Sequence, residues 1–266
     1  MTAYVRSVPV RDEEMEYIIF GSGPKPLIFV AGMSLCGIMD QAQVVADACE
    51  ILTKDYTVYV FDRRPTLPVG YTVRDMAEDL AQALDALGIS GADMMGTSQG
   101  GMIVQQLAID RPELVHAAVL SSTLCRPNPT SEETFVLWRD TALRRDPAAV
   151  NDVSFRRIYT EKFREDNAAA FAALMQTGTP EQCGRFAVLA EACRVFDCSA
   201  SLDRIRCPVL VIGVWGDMVL SGKASVELAE RLGCGLHMYE GFGHCVCDEA
   251  PDFRPRLLDF FRSVSD

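Results

Sequence analysis

The segment MMGTSQGGMIVQQLAI, Met94 to Ile109, sets one serine between two glycines where a strand-like apolar pair gives way to a helix. A turn at that joint needs glycine for backbone reasons, but it does not need Ser98. G-x-S-x-G alone is a weak signal. A strand before it and a helix after it give it force, because that is the setting of a nucleophile elbow. In so tight a turn Ser98 takes strained backbone angles, and Gly96 and Gly100 avoid the clashes that a Cβ would make. The hydroxyl then stands above the sheet edge at the positive end of the following helix, which favours developing negative charge. A serine that merely capped the helix would explain Ser98 but not both flanking glycines.

A hydroxyl is a poor nucleophile until a base removes its proton, and the chain has only three histidines. His116, in RPELVHAAVL, lies just ahead of a buried strand and reads as surface or core filler. His237 falls inside the strand LHMYE. His244, in EGFGHC, occupies a glycine-flanked loop after the last strand, from which a side chain can swing over the strand ends. His244 is the candidate base. The base needs an orienting carboxylate, and PVLVIGVWGDMV places Asp217 in a tight loop at the same edge. The loop SSTLCRPN offers no carboxylate, Asp203 precedes a strand, and Asp248 follows the histidine too closely to reach across.

Elements must deliver these three residues to one edge. Short β-rich runs occur at Leu27–Ala31, Thr57–Phe61, Ala92–Met95, Ala117–Ser121, Pro208–Ile212 and Leu236–Glu240. Helical periodicity lies between them, at Ile38–Leu52, Thr72–Leu87, Gln99–Asp110, Ser221–Leu232 and Pro251–Val264. This alternation predicts an α/β fold, with a mostly parallel, twisted sheet and helices on both faces. Met15–Phe20, followed by GSGPKP, reads as an added antiparallel strand and a turn. The alternation breaks once, between Cys125 and Arg206, where several helices rich in Ala, Phe and Arg follow Pro127 and Pro129. The expected organisation is a core of residues 1–124 and 207–266 with an all-helical cap insertion at 125–206. Its place in the chain delivers that insertion to the strand ends, where open α/β sheets bind ligands, so a lid is expected.

Composition bounds the partners. Hydrophobic residues make up 49% and charged residues 23%, so a full-sized core is expected within 266 residues. A net charge of −12 argues against nucleic acid, and no run reaches transmembrane length. Ten cysteines are scattered without CxxC metal spacing, even in the close pairs Cys193/Cys198 and Cys245/Cys247. With no secretory leader in view, reduced thiols in a cytoplasm are expected, and neither cofactor nor metal is called for. Homo-oligomerisation is compatible with the sequence.

The chain resembles the α/β-hydrolase superfamily, in its capped branch of small esterases, enol-lactonases, carbon–carbon bond hydrolases and cofactor-free haloperoxidases. The likeness runs through GSGPKPLIFVAGMS, VFDRR, YTVRDMAEDLAQALDALGI, GTSQGGM, RPELVHAAVL, IRCPVLVIGVWGDMV and YEGFGHCVCDEAPDFRPRLLDFF, and it includes the chain order Ser98, Asp217, His244. It implies a serine hydrolase of carboxylesterase type, acting on a small-molecule acyl substrate through an acyl-enzyme. Acyl transfer, perhydrolysis and carbon–carbon hydrolysis use the same machinery, and non-catalytic receptors share the fold. It also implies an oxyanion hole from the main-chain N–H groups of Gln99 and Met33. Two departures stand out: Ala31-Gly32 replaces the family's usual His-Gly, and DRRPTLPVGYT carries prolines where a glycine-rich loop is customary. Met33, Leu35, Met102, Trp138, Met218 and Val219 are candidate pocket walls, although apolar side chains are more often simply core. If they line the site, the acyl group is small to medium and apolar.

Overall fold

Strands that are apolar at successive positions must be covered on both faces, and this chain supplies a run of them. The computed structural model describes residues 1–265. It begins with strands β1 (Tyr4–Val10), β2 (Glu13–Gly21) and β3 (Lys25–Val30), helix α1 (Ala42–Ala48) and strand β4 (Tyr56–Phe61). Then come α2 (Val73–Leu87), β5 (Ala92–Thr97), α3 (Gln99–Asp110) and β6 (Val115–Ser121). Five helices follow without a strand: α4 (Pro129–Leu143), α5 (Pro147–Ile158), α6 (Glu161–Asp166), α7 (Ala168–Leu174) and α8 (Pro180–Arg194). The chain closes with β7 (Val209–Val214), α9 (Gly222–Leu232), β8 (Gly235–Tyr239), α10 (Val246–Glu249) and α11 (Phe253–Ser263).

The eight strands form one sheet in the order β1-β2-β4-β3-β5-β6-β7-β8. β2 runs antiparallel to both β1 and β4, while the remaining pairs are parallel. The added antiparallel strand expected from Met15–Phe20 is therefore β2. Period-two alternation sorts the side chains into two layers. Ile28, Val30, Met94, Leu120 and Val211 pack in one cluster with residues of α2, α3 and α9. Leu27, Phe29, Met95, Val119 and Ile212 pack in the other with Ala46 of α1 and Phe253, Leu257 and Phe261 of α11. Each such fully buried side chain contributes about 1.5–3 kcal/mol of transfer free energy. Local signals mark the helix ends: α2 opens on a reciprocal cap between Thr72 and Asp75 and closes at left-handed Gly88.

Two expectations need correction. The helix expected over Ile38–Leu52 is instead two 3₁₀ turns, Met39–Gln41 and Glu50–Leu52, flanking a short α1. Only Ala46, Cys49 and Leu52 are buried there, each three residues from the next, which is the 3₁₀ rather than the α period. β1 was not anticipated either. It is an edge strand with five of its seven side chains exposed, so pairing with β2 rather than a hydrophobic pattern defines it.

The insertion between β6 and β7 is helical throughout, ending in a 3₁₀ turn at Ser199–Arg204. Phe135 and Trp138 of α4 and Phe186 and Leu189 of α8 are buried in it. Ion pairs Arg139–Glu191 and Arg194–Glu132, both 2.9 Å, tie α8 to α4 at its surface. Such part-exposed pairs are worth only about 0–1 kcal/mol each, so apolar packing holds these helices together. Among the described residues no helix is long and apolar enough to cross a membrane.

Candidate active site

The parallel strands all end at one edge, and the loops leaving them carry the polar groups of interest. Ser98 directly follows β5 with φ 56° and ψ −119°, a strained conformation for any residue with a Cβ. Its side chain makes no capping bond to α3, so the helix-cap explanation fails. A Cβ on Gly100 would lie 1.9 Å from the Val30 carbonyl oxygen, and one on Gly96 would lie 2.5 Å from that of Gly100. Both glycines are thus required for the elbow to pack against itself and against β3. The Ser98 carbonyl accepts from Thr123 Oγ1 at 2.8 Å, and its N–H donates to Ser121 at 2.9 Å, clamping the turn.

Asp217 leaves β7 and His244 leaves β8. Their side chains are 1% and 4% exposed, and His244 Nδ1 lies 2.8 Å from Asp217 Oδ2. Asp217 Oδ1 accepts the N–H groups of Val219 (2.7 Å) and Leu220 (2.9 Å). Burial alone would raise the Asp217 pKa. The charge and hydrogen bond of His244, with the two N–H bonds, outweigh it and hold the carboxyl below its ordinary value. An ionised Asp217 assigns the Nδ1 proton, leaving Nε2 as an acceptor. That Nε2 is buried and has no hydrogen-bond partner among the described residues.

Ser98 and His244 line one cavity of about 310 Å³. Its floor comes from the loop after β3, including Gly32, Met33 and Leu35, and its roof from the helical insertion through Trp138, Asn151, Ser154, Phe155, Tyr159 and Phe186. Most of the wall is apolar, but the Ser154 hydroxyl is buried without a hydrogen-bond partner among the described residues. Three pocket candidates are not part of this wall. Met102 and Val219 are fully buried in the core beneath the elbow and beside Asp217, and Met218 is 57% exposed. They lie close in sequence to the elbow and to Asp217, but none of them lines the cavity. Met33, Leu35 and Trp138 do line it.

Among the described residues, no main-chain carbonyl takes up the N–H groups of Met33 and Gln99. Around them lies a network that sequence reading missed. Arg63, just past β4, is fully enclosed; its Nη2 donates to Gln99 Oε1 at 2.6 Å and its Nη1 to the Gly32 carbonyl at 3.5 Å. Asp62 balances its charge at 3.4 Å, and burial lowers the guanidinium pKa. Gln99 Nε2 in turn donates to the Leu189 carbonyl of α8 at 3.0 Å. One buried cation therefore joins the loop after β3, the start of α3 and the insertion. Two arginines beside Asp62 were the available signal, although nothing in DRR tells that Arg63 reaches Gln99 while Arg64, also buried, lies beside Asp79.

The other histidines lie elsewhere. His237 sits in β8, edge-on to Tyr239 at 4.5 Å. His116 Nδ1 is 2.7 Å from Asp93 Oδ1, which makes a second His–Asp pair, but it stands near the amino end of β5, opposite Ser98. A histidine–carboxylate contact by itself is therefore not a site here.

Comparison with known proteins agrees with this fold. The family described as "alpha/beta hydrolase fold" matches residues 26–251. The chain is 32% identical over 242 residues to "Putative carbamate hydrolase RutD" of Pseudomonas savastanoi pv. phaseolicola, covering 85% of this chain and 92% of that protein. Among solved structures, the enol-lactonase from Burkholderia xenovorans LB400 superposes with a TM-score of 0.85 at 22% identity, covering 97% of this chain and 100% of that one. The hydrolase MGS-M2 from a Medee basin deep-sea metagenome library also reaches 0.85, at 20% identity over 97% of each chain. With an eight-stranded, mostly parallel sheet, a strained serine elbow and a family match over most of its length, the chain belongs to the α/β-hydrolase family.

Proposed function

We propose that this hydrolase cleaves a small to medium carboxylic ester, with Ser98 as nucleophile, His244 as general base and Asp217 as its orienting carboxylate. The supporting observation is the buried His244–Asp217 pair, whose unpaired Nε2 shares a cavity with the strained Ser98. Ser98 Oγ attacks the acyl carbon as its proton passes to Nε2, and the N–H groups of Met33 and Gln99 hold the oxyanion. The imidazolium then gives the proton to the leaving alcohol, and water repeats the sequence on the acyl-enzyme. Residues 125–206 act as the cap, roofing the cavity and excluding water. The mostly apolar wall favours an apolar acyl or alcohol part, with Ser154 Oγ offering one polar contact.

A second reading has its own observation, the RutD relatives, which are named as carbamate hydrolases. The same attack on a carbamate gives a carbamoyl-enzyme. The nitrogen lone pair makes that carbonyl less electrophilic, so its hydrolysis is slower. The cavity wall favours the ester, because a small carbamate would leave most of its apolar lining without contact.

A fluorophosphonate reports on the machinery, since it traps a serine whose proton is being removed and whose oxyanion is being held. One adduct per chain is expected, on the peptide containing Ser98, and none in Ser98→Ala or His244→Ala. A panel of aryl esters of graded acyl length, paired with matched carbamates, then assigns the substrate class by kcat/KM. Products formed with added alcohol or peroxide reveal any acyl transfer. The hydrolase mechanism is falsified if the folded protein takes up no label and cleaves no activated acyl compound.

A further inference from the structure

The residues after His244 are Cys245-Val246-Cys247-Asp248, and the short α10 turn brings three donor atoms together. Cys245 Sγ lies 3.6 Å from Cys247 Sγ and 3.3 Å from Asp248 Oδ2, and Cys247 Sγ lies 3.7 Å from Asp248 Oδ1. A spacing of one intervening residue is not the CxxC pattern, which is why sequence reading passed over the pair. Geometry decides otherwise. A tetrahedral zinc ion takes sulfur at about 2.3 Å and carboxylate oxygen at about 2.0–2.2 Å, so two such sulfurs stand roughly 3.8 Å apart, and sulfur and oxygen roughly 3.5 Å. The sulfur–sulfur separation and the two sulfur–oxygen separations, each to a different oxygen of Asp248, fall close to these values, and one donor atom from each residue lies within 4.8 Å of the others.

We propose that Cys245, Cys247 and Asp248 form a binding site for a thiophilic divalent cation of the zinc and cadmium class, and that an ion bound there shuts the active site. Two outer hydrogen bonds already hold the ligand carriers. The Tyr159 hydroxyl donates to Asp248 Oδ2 at 3.0 Å, and Arg254 Nη1 donates to the Cys247 carbonyl at 2.7 Å. All three ligand residues line the same cavity as Ser98 and His244, so the fourth coordination position opens toward it. Coordination sends the two thiol protons to solvent and leaves a bulky, hydrated centre one residue from His244. Substrate then meets an obstructed cavity, and the loop carrying His244 is held by a coordinate bond at Cys245. The inhibitory half of this proposal rests on the proposed hydrolase reading; the binding half does not.

Cobalt(II) titration of the full-length, reduced protein separates the two halves, because thiolate ligation produces a near-ultraviolet sulfur-to-cobalt charge-transfer band. One cobalt per chain is expected, displaced by zinc, with the band lost in the Cys245→Ser/Cys247→Ser double variant and retained in Cys36→Ser and Cys49→Ser. Asp248→Asn, at an exposed position, should weaken binding by at least about tenfold and tests the site should the double variant fail to fold. Zinc should abolish ester hydrolysis by the wild-type protein, reversibly on chelation, and lose that effect in the same variants. Absence of the band, or its persistence in a folded double variant, overturns the site. Zinc binding that leaves turnover intact overturns the inhibition. If no ester is cleaved under any condition, the hydrolase reading fails while the cobalt band still decides the site.

Discussion

Asp217 engages both carboxylate oxygens, one with two main-chain N–H groups and the other with the imidazole of His244. Asp217→Asn can keep the first set, because an amide oxygen accepts from Val219 and Leu220 as a carboxylate does. Its NH₂ group then faces His244 Nδ1 and forces the ring proton onto Nε2, where it blocks proton uptake from Ser98. The variant should fold, melting below the wild type but remaining native at assay temperature, and lose on the order of 10⁴ in kcat. Steady-state ester hydrolysis beside a thermal melt checks this, and near-normal turnover would move the acid role to another carboxylate. His116→Ala is the matched control. It breaks the pair with Asp93 at the far end of β5, so turnover should stay within about twofold, as expected of a substitution outside the site. The three candidate triad residues could be picked out because each lies in the turn or loop leaving a strand, and strand ends can be read from sequence. Arg63, Asn151 and Ser154 were not, because their importance depends on which way a side chain turns once the insertion is folded.

At the scale of elements, the proposed oxyanion hole asks the loop after β3 to present the Met33 N–H to the elbow without the histidine that usually precedes its glycine. Gly32 approaches within van der Waals contact of Ser98, where a Cβ would stand 3.5 Å from the Ser98 Cβ. In a trans peptide the carbonyl and the following N–H point in opposite directions, so a cation drawing the Gly32 carbonyl outward turns the Met33 N–H inward. Arg63 is that cation, and the same guanidinium fixes Gln99 from the other side. Arg63→Met should lower kcat by about tenfold to a hundredfold with little change in KM, less than the roughly 10²–10³ of deleting an oxyanion donor outright. Guanidinium added to the folded variant should recover part of the rate. A change in KM alone would mean that Arg63 shapes only the pocket. The insertion is tied to the histidine loop as well: Thr160 N–H and Oγ1 both donate to Glu249, and the Cys245 N–H donates to the Ile158 carbonyl. The parallel strands and most of the flanking helices could be read in the chain, since burial on both faces imposes apolar runs. β1 and the 3₁₀ turns around α1 could not, because their partners are set by pairing and by contacts three residues apart.

Across the whole molecule, an acidic chain of net charge −12 should gain little from further ionisation, yet several carboxyls are held below their usual range. Asp217 is the most enclosed of these, and Glu191 is drawn down to about 2 by its hydrogen bonds to Arg194 and Arg139. A group whose pKa is depressed on folding takes up its proton in the unfolded state first as acid is added. Its stabilising contribution is therefore complete above the unfolded value of roughly 3.9–4.3, and it is lost as pH falls through the lower, folded value. The wild type should consequently lose stability steeply below about pH 4, where the unfolded chain binds protons that the folded chain refuses. Asp217→Asn lacks one of these groups, so the stability gap between the two proteins should stay constant through roughly pH 5–7 and narrow below about pH 4. Glu191→Gln should show a smaller version of the same convergence, because solvent screens its more exposed pairs with Arg194 and Arg139. Urea midpoints collected across that range for the three proteins decide the matter. A gap for Asp217→Asn that persists unchanged to about pH 2.5 would mean that Asp217 keeps an ordinary carboxyl in the fold, and that its contact with His244 orients the ring without an ionic contribution to stability.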